Sequence, residues 1–244
     1  SKVVYAKDIF QMSSIPKSMT IIGAGAIGVE FAYFFNSFGT NITLIEAEDN
    51  VLPHEDKEVS QWVEKVFKKK KINILTGTLA DKIDDEKILI SVGVEGNSLG
   101  MGLEKIGVQF SANNHIAVDS NGKTNIDNIY AVGDVIGAPW LAHVSAAEGL
   151  YAVEHLVGLN PKEIDYNSVP ACTYSKPEVA SIGSTEQQLL DDGIEFKVAK
   201  SFFISNGKAV AVGATDGFIK ILVGKEGNIL GAHIVGSNAT EMIS

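Results

Sequence analysis

From Met19 to Val94, short apolar runs alternate with amphipathic stretches, the pattern of βαβ units that feed a parallel sheet. Met19-Thr-Ile-Ile22 reads as a buried strand. Ile27 to Phe38 reads as a helix, with Ile27, Phe31, Phe34, Phe35 and Phe38 expected on its core face. Asn41 to Glu46 alternates like a strand and ends in an acid. A second helix is predicted from about Asp56 to Lys70, its core stripe made of Val59, Trp62, Val63, Val66 and Phe67. The run Lys68 to Lys71 falls at its C-terminal end, where the helix dipole favours cations and a solvated helix end explains it. Asn73-Ile-Leu75 and Lys87 to Val92 supply further strands, joined by a short polar link from Asp81 to Lys87.

Beyond Gly93 the texture loosens into glycines and turns as far as Asn128. Asn128 to Val132 then reads as a strand ending at Gly133-Asp134, and Leu141 to Leu156 as an Ala-rich helix. After Pro161 the strand-like runs crowd together: Phe196 to Ile204, Ala209 to Gly213, Gly217 to Val223 and Ile229 to Val235. Turn residues Ser205-Asn-Gly207, Thr215-Asp-Gly217 and Lys225 to Asn228 separate them, so an antiparallel meander in a separate α+β domain is expected. Asn238-Ala-Thr-Glu241 has the spacing of a capping box opening a helix. No internal repeat is visible.

Charge narrows the choice of partners. The 244 residues carry a net charge of -10, which argues against nucleic acid or an anionic membrane as the main partner. Every cation is a lysine, so no guanidinium fork exists for a phosphate or carboxylate. The longest stretch without a charge, Phe31 to Ile45, is too short and too polar to span a bilayer. Cys172 is the only cysteine, which rules out an intrachain disulfide and fits a reducing compartment. A cytoplasmic, soluble protein is expected.

Two places carry candidate chemistry. Gly23-Ala-Gly25-Ala-Ile-Gly28 lies between the first strand and the first helix, where this pattern acquires meaning. Gly23 would allow the tight turn, Gly25 the approach of a pyrophosphate, and Gly28 close packing of helix on strand, with phosphates held by N–H groups at the positive helix end. Glu46 ends the next strand and is placed to accept hydrogen bonds from an adenosine ribose diol. A carboxylate there repels a 2′-phosphate, which favours NAD over NADP. The alternative is a glycine turn that binds something else or nothing. Glu30 could be a ligand or a plain compensation of the helix dipole. At the second place, Gly133-Asp134 puts a carboxylate after a strand, suited to a polyhydroxy, phosphorylated ligand, or serving as a structural turn.

Taken together, Gly23 to Glu30, Leu44-Ile-Glu46, Ile90-Ser-Val-Gly93, Gly102 to Gly107, Ala131-Val-Gly-Asp134, Leu141-Ala-His143 and Tyr174 to Ala180 resemble the flavin-dependent pyridine nucleotide–disulfide oxidoreductases. The likeness runs through essentially the whole chain. It implies an α/β fold with a Rossmann-like NAD-binding domain built on a parallel sheet, part of a second Rossmann-like FAD domain, and an α+β interface domain with an antiparallel sheet. The boundaries implied are a linker or FAD-domain remnant over 1–14, the NAD domain over 15–95, the FAD return segment over 96–163 and a truncated dimerisation domain over 164–244. By position, Gly23, Gly25, Ile27, Gly28, Glu30, Glu46 and Gly93 would contact NAD, and Gly133, Asp134, Leu141, Ala142 and His143 would contact FAD. His143 taken alone reads as a capping or surface histidine.

The activity implied is oxidation of protein-bound dihydrolipoamide to lipoamide with reduction of NAD to NADH. The implied partners are the lipoyl-bearing subunits of 2-oxo acid dehydrogenase complexes and a second copy of the protein. The family's Cys-x₄-Cys pair, its first Gly-x-Gly-x-x-Gly and its catalytic His–Glu pair find no match here, so no catalytic or metal-binding residue is expected in this chain, which reads as a piece of the full enzyme. Cys172 falls on an expected interface-domain strand and reads as a buried structural thiol, and His233 does not match the catalytic histidine. Val94 to Asn97 stands where many members carry Arg, and the link from Asp81 to Lys87 replaces a β-meander usual there. A mercuric reductase-like or soluble transhydrogenase-like sister enzyme, or a non-catalytic NAD-binding module, are the other readings.

Overall fold

The computed structural model describes residues 1–81 and 83–244, so Lys82 of the expected polar link lies outside the described residues. The chain forms two compact units, Ser1–Val92 with Pro170–Ser244, and Gly93–Val169.

The first unit begins with β1 (Val3–Tyr5), α1 (Ala6–Ile9), β2 (Ser18–Ile22), α2 (Ala26–Ser37), β3 (Asn41–Ile45), α3 (Lys57–Lys69), β4 (Asn73–Leu75) and β5 (Lys87–Ile90). Their strands make one parallel sheet in the order β1-β5-β2-β3-β4. Met19, Ile21, Leu44 and Leu89 are completely buried at its centre. From β2 the chain moves outward through β3 and β4, then returns to the other side of β2 as β5. The crevice at the carboxyl ends of β2 and β5 is therefore a topological switch point, the place where open α/β sheets bind ligands.

The aromatic stripe expected to bury α2 does not do so. Ile27, Phe34 and Phe38 are exposed, Phe31 is half-buried, and only Phe35 of that set is fully in the core. The buried face is Gly28, Val29, Ala32 and Phe35, because small residues let the helix lie close to the sheet. Phe31 and Phe34 line a cavity of about 580 Å³ with Phe10, Met12 and Tyr174. In α3 the expected stripe holds at Val59, Val63 and Phe67, while Trp62 and Val66 are half-buried. Trp62 instead packs edge-on against Phe218, ring centroids 5.6 Å apart.

The second unit contains α4 (Ala142–Leu156) and the short 3₁₀ turns Leu103–Ile106, Ala112–Asn114, Gly133–Ile136 and Tyr166–Ser168. The strand expected over Asn128 to Val132 is absent. Asn128 takes a left-handed conformation (φ 64°), and the Thr124 Oγ1 accepts the Ile126 N–H, so the chain folds into a tight turn with Tyr130 bridging Lys123 alone.

The chain then returns to the first unit through β6 (Ala171–Thr173), β7 (Glu178–Gly183), α5 (Glu186–Asp191), β8 (Phe196–Phe202), α6 (Gly207–Ala211), β9 (Gly217–Gly224), β10 (Ile229–Gly236) and α7 (Ala239–Met242). Their strands form an antiparallel sheet in the order β6-β7-β10-β9-β8. The expected strand Ala209 to Gly213 is a helical turn instead. Asn206 caps it by accepting the Ala209 N–H at 3.0 Å, an option that apolar pattern alone does not reveal. The expected run to Ile204 likewise tightens into a 3₁₀ turn at Phe203–Ser205. At the capping-box site, Asn238 is left-handed and its side chain caps nothing. Glu178 takes over, accepting from the Thr240 N–H and Oγ1–H at 3.2 and 2.8 Å. Cys172 is half-buried rather than buried because β6 is an edge strand. Burial pushes its thiol above the ordinary range.

Where the antiparallel sheet meets α3, polar side chains replace hydrocarbon. Ser181, His233, Lys220 and Lys200 are directly paired across neighbouring strands β7, β10, β9 and β8, so they stand in a row on one face. They meet the start of α3. Lys220 is completely buried and its Nζ lies 2.9 Å from both Asp56 carboxylate oxygens, 2.9 Å from Glu58 Oε2, and against Glu186 Oε2. Lys200 Nζ reaches Glu58 Oε1 at 2.7 Å, and the Ser181 hydroxyl donates to Glu55 Oε1 at 3.0 Å. His233 Nε2 lies 3.0 Å from the Ser184 carbonyl. That leaves His233 Nδ1 and Glu55 Oε2 buried without a hydrogen-bond partner among the described residues. Burial lowers the His233 pKa and raises that of Glu55 to about 7. Among the described residues no helix is long and apolar enough to cross a membrane.

Candidate nucleotide site

The glycine turn sits at the switch point, and each glycine has its own reason to be there. Gly23 follows β2 with φ 97°, its N–H donates to the Ile45 carbonyl at 2.8 Å, and a Cβ on it would lie 2.4 Å from the Ser91 carbonyl oxygen. A Cβ on Gly28 would fall 1.9 Å from the Gly23 carbonyl oxygen, so the first turn of α2 can close on the strand only without a side chain. Gly25 differs: it is the N-cap of α2, and a Cβ there would meet nothing within 4 Å. The space at Gly25 faces open ground, next to exposed Ala26 and Ile27. The N–H groups that begin a helix have no carbonyl one turn back and carry the positive end of its dipole, which makes this end of α2 an anion seat.

Glu46 lies just past β3 and is fixed by two backbone donors. Its Oε2 accepts the Ala24 N–H at 2.6 Å and its Oε1 the Glu48 N–H at 3.0 Å. Each carboxylate oxygen keeps a further lone pair, so the group can still accept from a diol while holding the glycine turn. Ser91, which follows β5, is a residue that the sequence pattern does not single out. Its hydroxyl lies 2.9 Å from both the Ile22 and Gly23 carbonyls and its N–H donates to Ile22, clamping the turn from the β5 side. The signal it does carry is that of a small polar residue at the end of an apolar strand.

Glu30 points elsewhere. Its Oε1 accepts the Tyr174 N–H at 2.8 Å and it lines the aromatic cavity, so it ties α2 to the chain beside β6. Gly93 belongs to the second unit, with φ 149° and open space where a Cβ would be. These geometries separate two substitutions. Gly28→Ala forces a clash with backbone and is expected to cost about 1–3 kcal/mol of stability. Gly25→Ala is expected to cost less than about 1 kcal/mol while its methyl group intrudes on the anion seat. Thermal unfolding and NADH titration of the two variants should therefore dissociate, with Gly25→Ala folding normally and binding poorly.

In the second unit, Gly133 (φ 76°) opens a 3₁₀ turn that packs on α4, where a Cβ would come 2.9 Å from Ser145 Oγ. Its N–H donates to Glu148 Oε2 at 2.7 Å. Asp134 is exposed on that turn. Leu141 is the N-cap of α4, with Ala142 and His143 exposed in its first turn. Glu148 and Tyr166 are likewise silent in the sequence pattern. Glu148 is buried, and its Oε1 accepts the Tyr166 hydroxyl at 2.9 Å. Burial, with the carboxyl beside it, pushes the Tyr166 phenol up to about 12, which keeps it a hydrogen-bond donor. Among the described residues no cluster of His, Cys, Asp or Glu is arranged to hold a metal ion.

A glycine turn at a switch point, an acid locked beside it, and an appended antiparallel sheet are the parts of a known architecture. Residues 2–149 match the family model of the pyridine nucleotide-disulphide oxidoreductases and residues 169–244 that of their dimerisation domain. The chain belongs to the pyridine nucleotide-disulphide oxidoreductase family. Among its relatives is the dihydrolipoyl dehydrogenase of Zymomonas mobilis, 40% identical over 253 residues that cover 94% of this chain and 54% of that protein. The dihydrolipoyl dehydrogenase of Bacillus subtilis is also 40% identical, over 99% of this chain and 56% of its own. In structure the chain is similar to LpdA of Mycobacterium tuberculosis, with a TM-score of 0.89 and 25% identity over 98% of this chain and 56% of that one. The flavoprotein disulfide reductase RclA of Escherichia coli shares the fold, with a TM-score of 0.91 at 24% identity over 99% of this chain and 60% of that one. The chain thus spans about half the length of the curated relatives it matches.

Proposed function

We propose that these residues are the NAD-seating half of a cytoplasmic dihydrolipoamide dehydrogenase, which oxidises protein-bound dihydrolipoamide to lipoamide and reduces NAD to NADH. The observation that carries this reading is the glycine turn at the switch point with Glu46 locked beside it. The open N-terminus of α2 receives the pyrophosphate, and Glu46 accepts from the ribose diol. Ile27 and Gly93 are the other residues assigned to NAD. Glu30 stays in that set by its place one turn into α2, although its carboxylate is engaged by Tyr174.

FAD, when bound, supplies the two-electron relay between a dithiol and the nicotinamide. The residues around Gly133 fit such a group: the turn has no room for a side chain on its α4 side, and it presents exposed Asp134 next to the first turn of α4. Gly133 and Asp134 would hold the ribityl and phosphate region, with Leu141, Ala142 and His143 along the flavin side. With Cys172 as its only thiol, the chain contributes nucleotide binding and not the dithiol chemistry. The match to a dimerisation domain supports a homodimer, and the dihydrolipoyl dehydrogenase relatives support lipoyl-bearing subunits of 2-oxo acid dehydrogenase complexes as partners.

Calorimetric titration with NADH and NADPH tests the reading. NADH is expected to bind at least about tenfold more tightly, the equivalent of about 1.4 kcal/mol. Equal or stronger binding of NADPH would remove the role given to Glu46 and, with it, the main support for NAD.

A further inference from the structure

We propose that Glu148, backed by Tyr166, is a positioning residue for the flavin: its carboxyl fixes the Gly133–Asp134 turn in the shape that receives the ribityl and phosphate region. The inference rests on the FAD reading above and goes beyond it, since neither residue is expected to touch the cofactor.

Ser145 and Glu148 are three residues apart, so they share one helix face, and that face carries the turn. Ser145 supplies the floor, standing 2.9 Å from where a Gly133 Cβ would be. Glu148 supplies the anchor, a 2.7 Å hydrogen bond from the Gly133 N–H that is fully buried. A carboxyl buried in the middle of an apolar helix is costly unless both oxygens find donors. Here they do, Oε2 with Gly133 and Oε1 with Tyr166. The Tyr166 hydroxyl leaves one oxygen of Glu148 no freedom to rotate away from the turn. Two neutral donors from separate segments thus hold a single acceptor group, and that group defines where Asp134 stands. A helix that only needed to pack would have been served by an apolar residue at this position.

The test is made on the complete flavoprotein, with FAD binding to apoprotein followed by quenching of flavin fluorescence. Glu148→Ala is expected to raise the FAD dissociation constant at least tenfold and Tyr166→Phe about threefold. Glu148→Gln keeps an oxygen for the Gly133 N–H and should restore most of the loss. Tyr151→Phe is the structural control, because Tyr151 lies on the same helix but its hydroxyl donates to Asn121 at 3.0 Å, away from the turn. It should leave FAD affinity unchanged even where it lowers the thermal midpoint of the apoprotein. Affinity within twofold of wild type in Glu148→Ala, or an equal loss in Tyr151→Phe, would overturn the inference. A wild-type protein that takes up no FAD would instead overturn the flavin reading itself.

Discussion

Replacing Lys220 by Met is expected to destabilise the protein by about 3–5 kcal/mol, because it strips one partner from a buried ionic cluster and leaves the others uncompensated. Lys220 is fully buried against Asp56, Glu58 and Glu186, and two of its contacts reach both oxygens of Asp56. Burial works against the charge on Lys220, but hydrogen bonds to Glu186, Glu58 and Asp56 outweigh it and hold the ammonium above its usual range. Burial likewise opposes the charge on Asp56, and the Lys220 contact overcomes it, so its carboxyl titrates below the ordinary value of 3.8. The pH dependence follows from that depression. The favourable contribution of Asp56 is present above pH 3.8 and is lost as pH falls through its lower folded value. In the Met variant the stranded carboxylates can escape repulsion by taking up protons, so the stability gap from wild type should be widest near pH 8 and narrow toward pH 4. Urea unfolding at the two pH values measures it. A gap below about 1 kcal/mol at pH 8 would place Lys220 among surface ion pairs in its effect.

Glu55→Gln should do the opposite and stabilise the protein at neutral and alkaline pH. The Glu55 carboxyl end is buried, its Oε2 has no partner among the described residues, and its pKa is raised from 4.5 to about 7, by burial first and by the charge of Asp56 as well. A raised acid is most stable when protonated. Its contribution is complete below pH 4.5, declines between pH 4.5 and 7, and is gone above that. Gln mimics the protonated form and can still accept from Ser181. The variant should therefore equal wild type near pH 4 and exceed it by about 3 kcal/mol above pH 7, because each tenfold change in proton affinity is worth about 1.4 kcal/mol. A gain that is the same at every pH would mean that packing, not ionisation, is responsible.

These two residues also mark where sequence reading stops. The βαβ half is legible because strand and helix periods differ and because a glycine turn between them has few other uses. The spacing alone puts Gly28 where helix and strand must touch, and the clash that a Cβ there would make with the Gly23 carbonyl has the same cause. The buried face of α2 is not legible, because ring size is a poor sign of burial where a helix lies close to a sheet. There the close approach belongs to Gly28 and Ala32, and Phe34 and Phe38 are pushed outward while Phe35 alone of the rings is buried. Asn128 and Asn238 escape the pattern because a left-handed asparagine and a strand or capping residue look alike in one dimension. Lys220 is a further step removed. A single lysine in an alternating strand would be placed on the solvent side, unless its three carboxylates, from distant parts of the chain, were already known. Glu148 gives no sign of its role in the sequence. Its partner at Gly133 lies fifteen residues away, outside any helical spacing.

The same separation bears on how the protein is made. Asp56 and Lys220 are 164 positions apart. At a ribosomal pace of about 5–20 residues per second, Asp56 therefore waits on the order of ten to thirty seconds for its counter-ion. In that interval the strands of the parallel sheet are already made, but the acidic start of α3 remains a hydrated surface. The arrival of β9 converts that surface into an interior, so a strand made much later closes a joint that α3 leaves open.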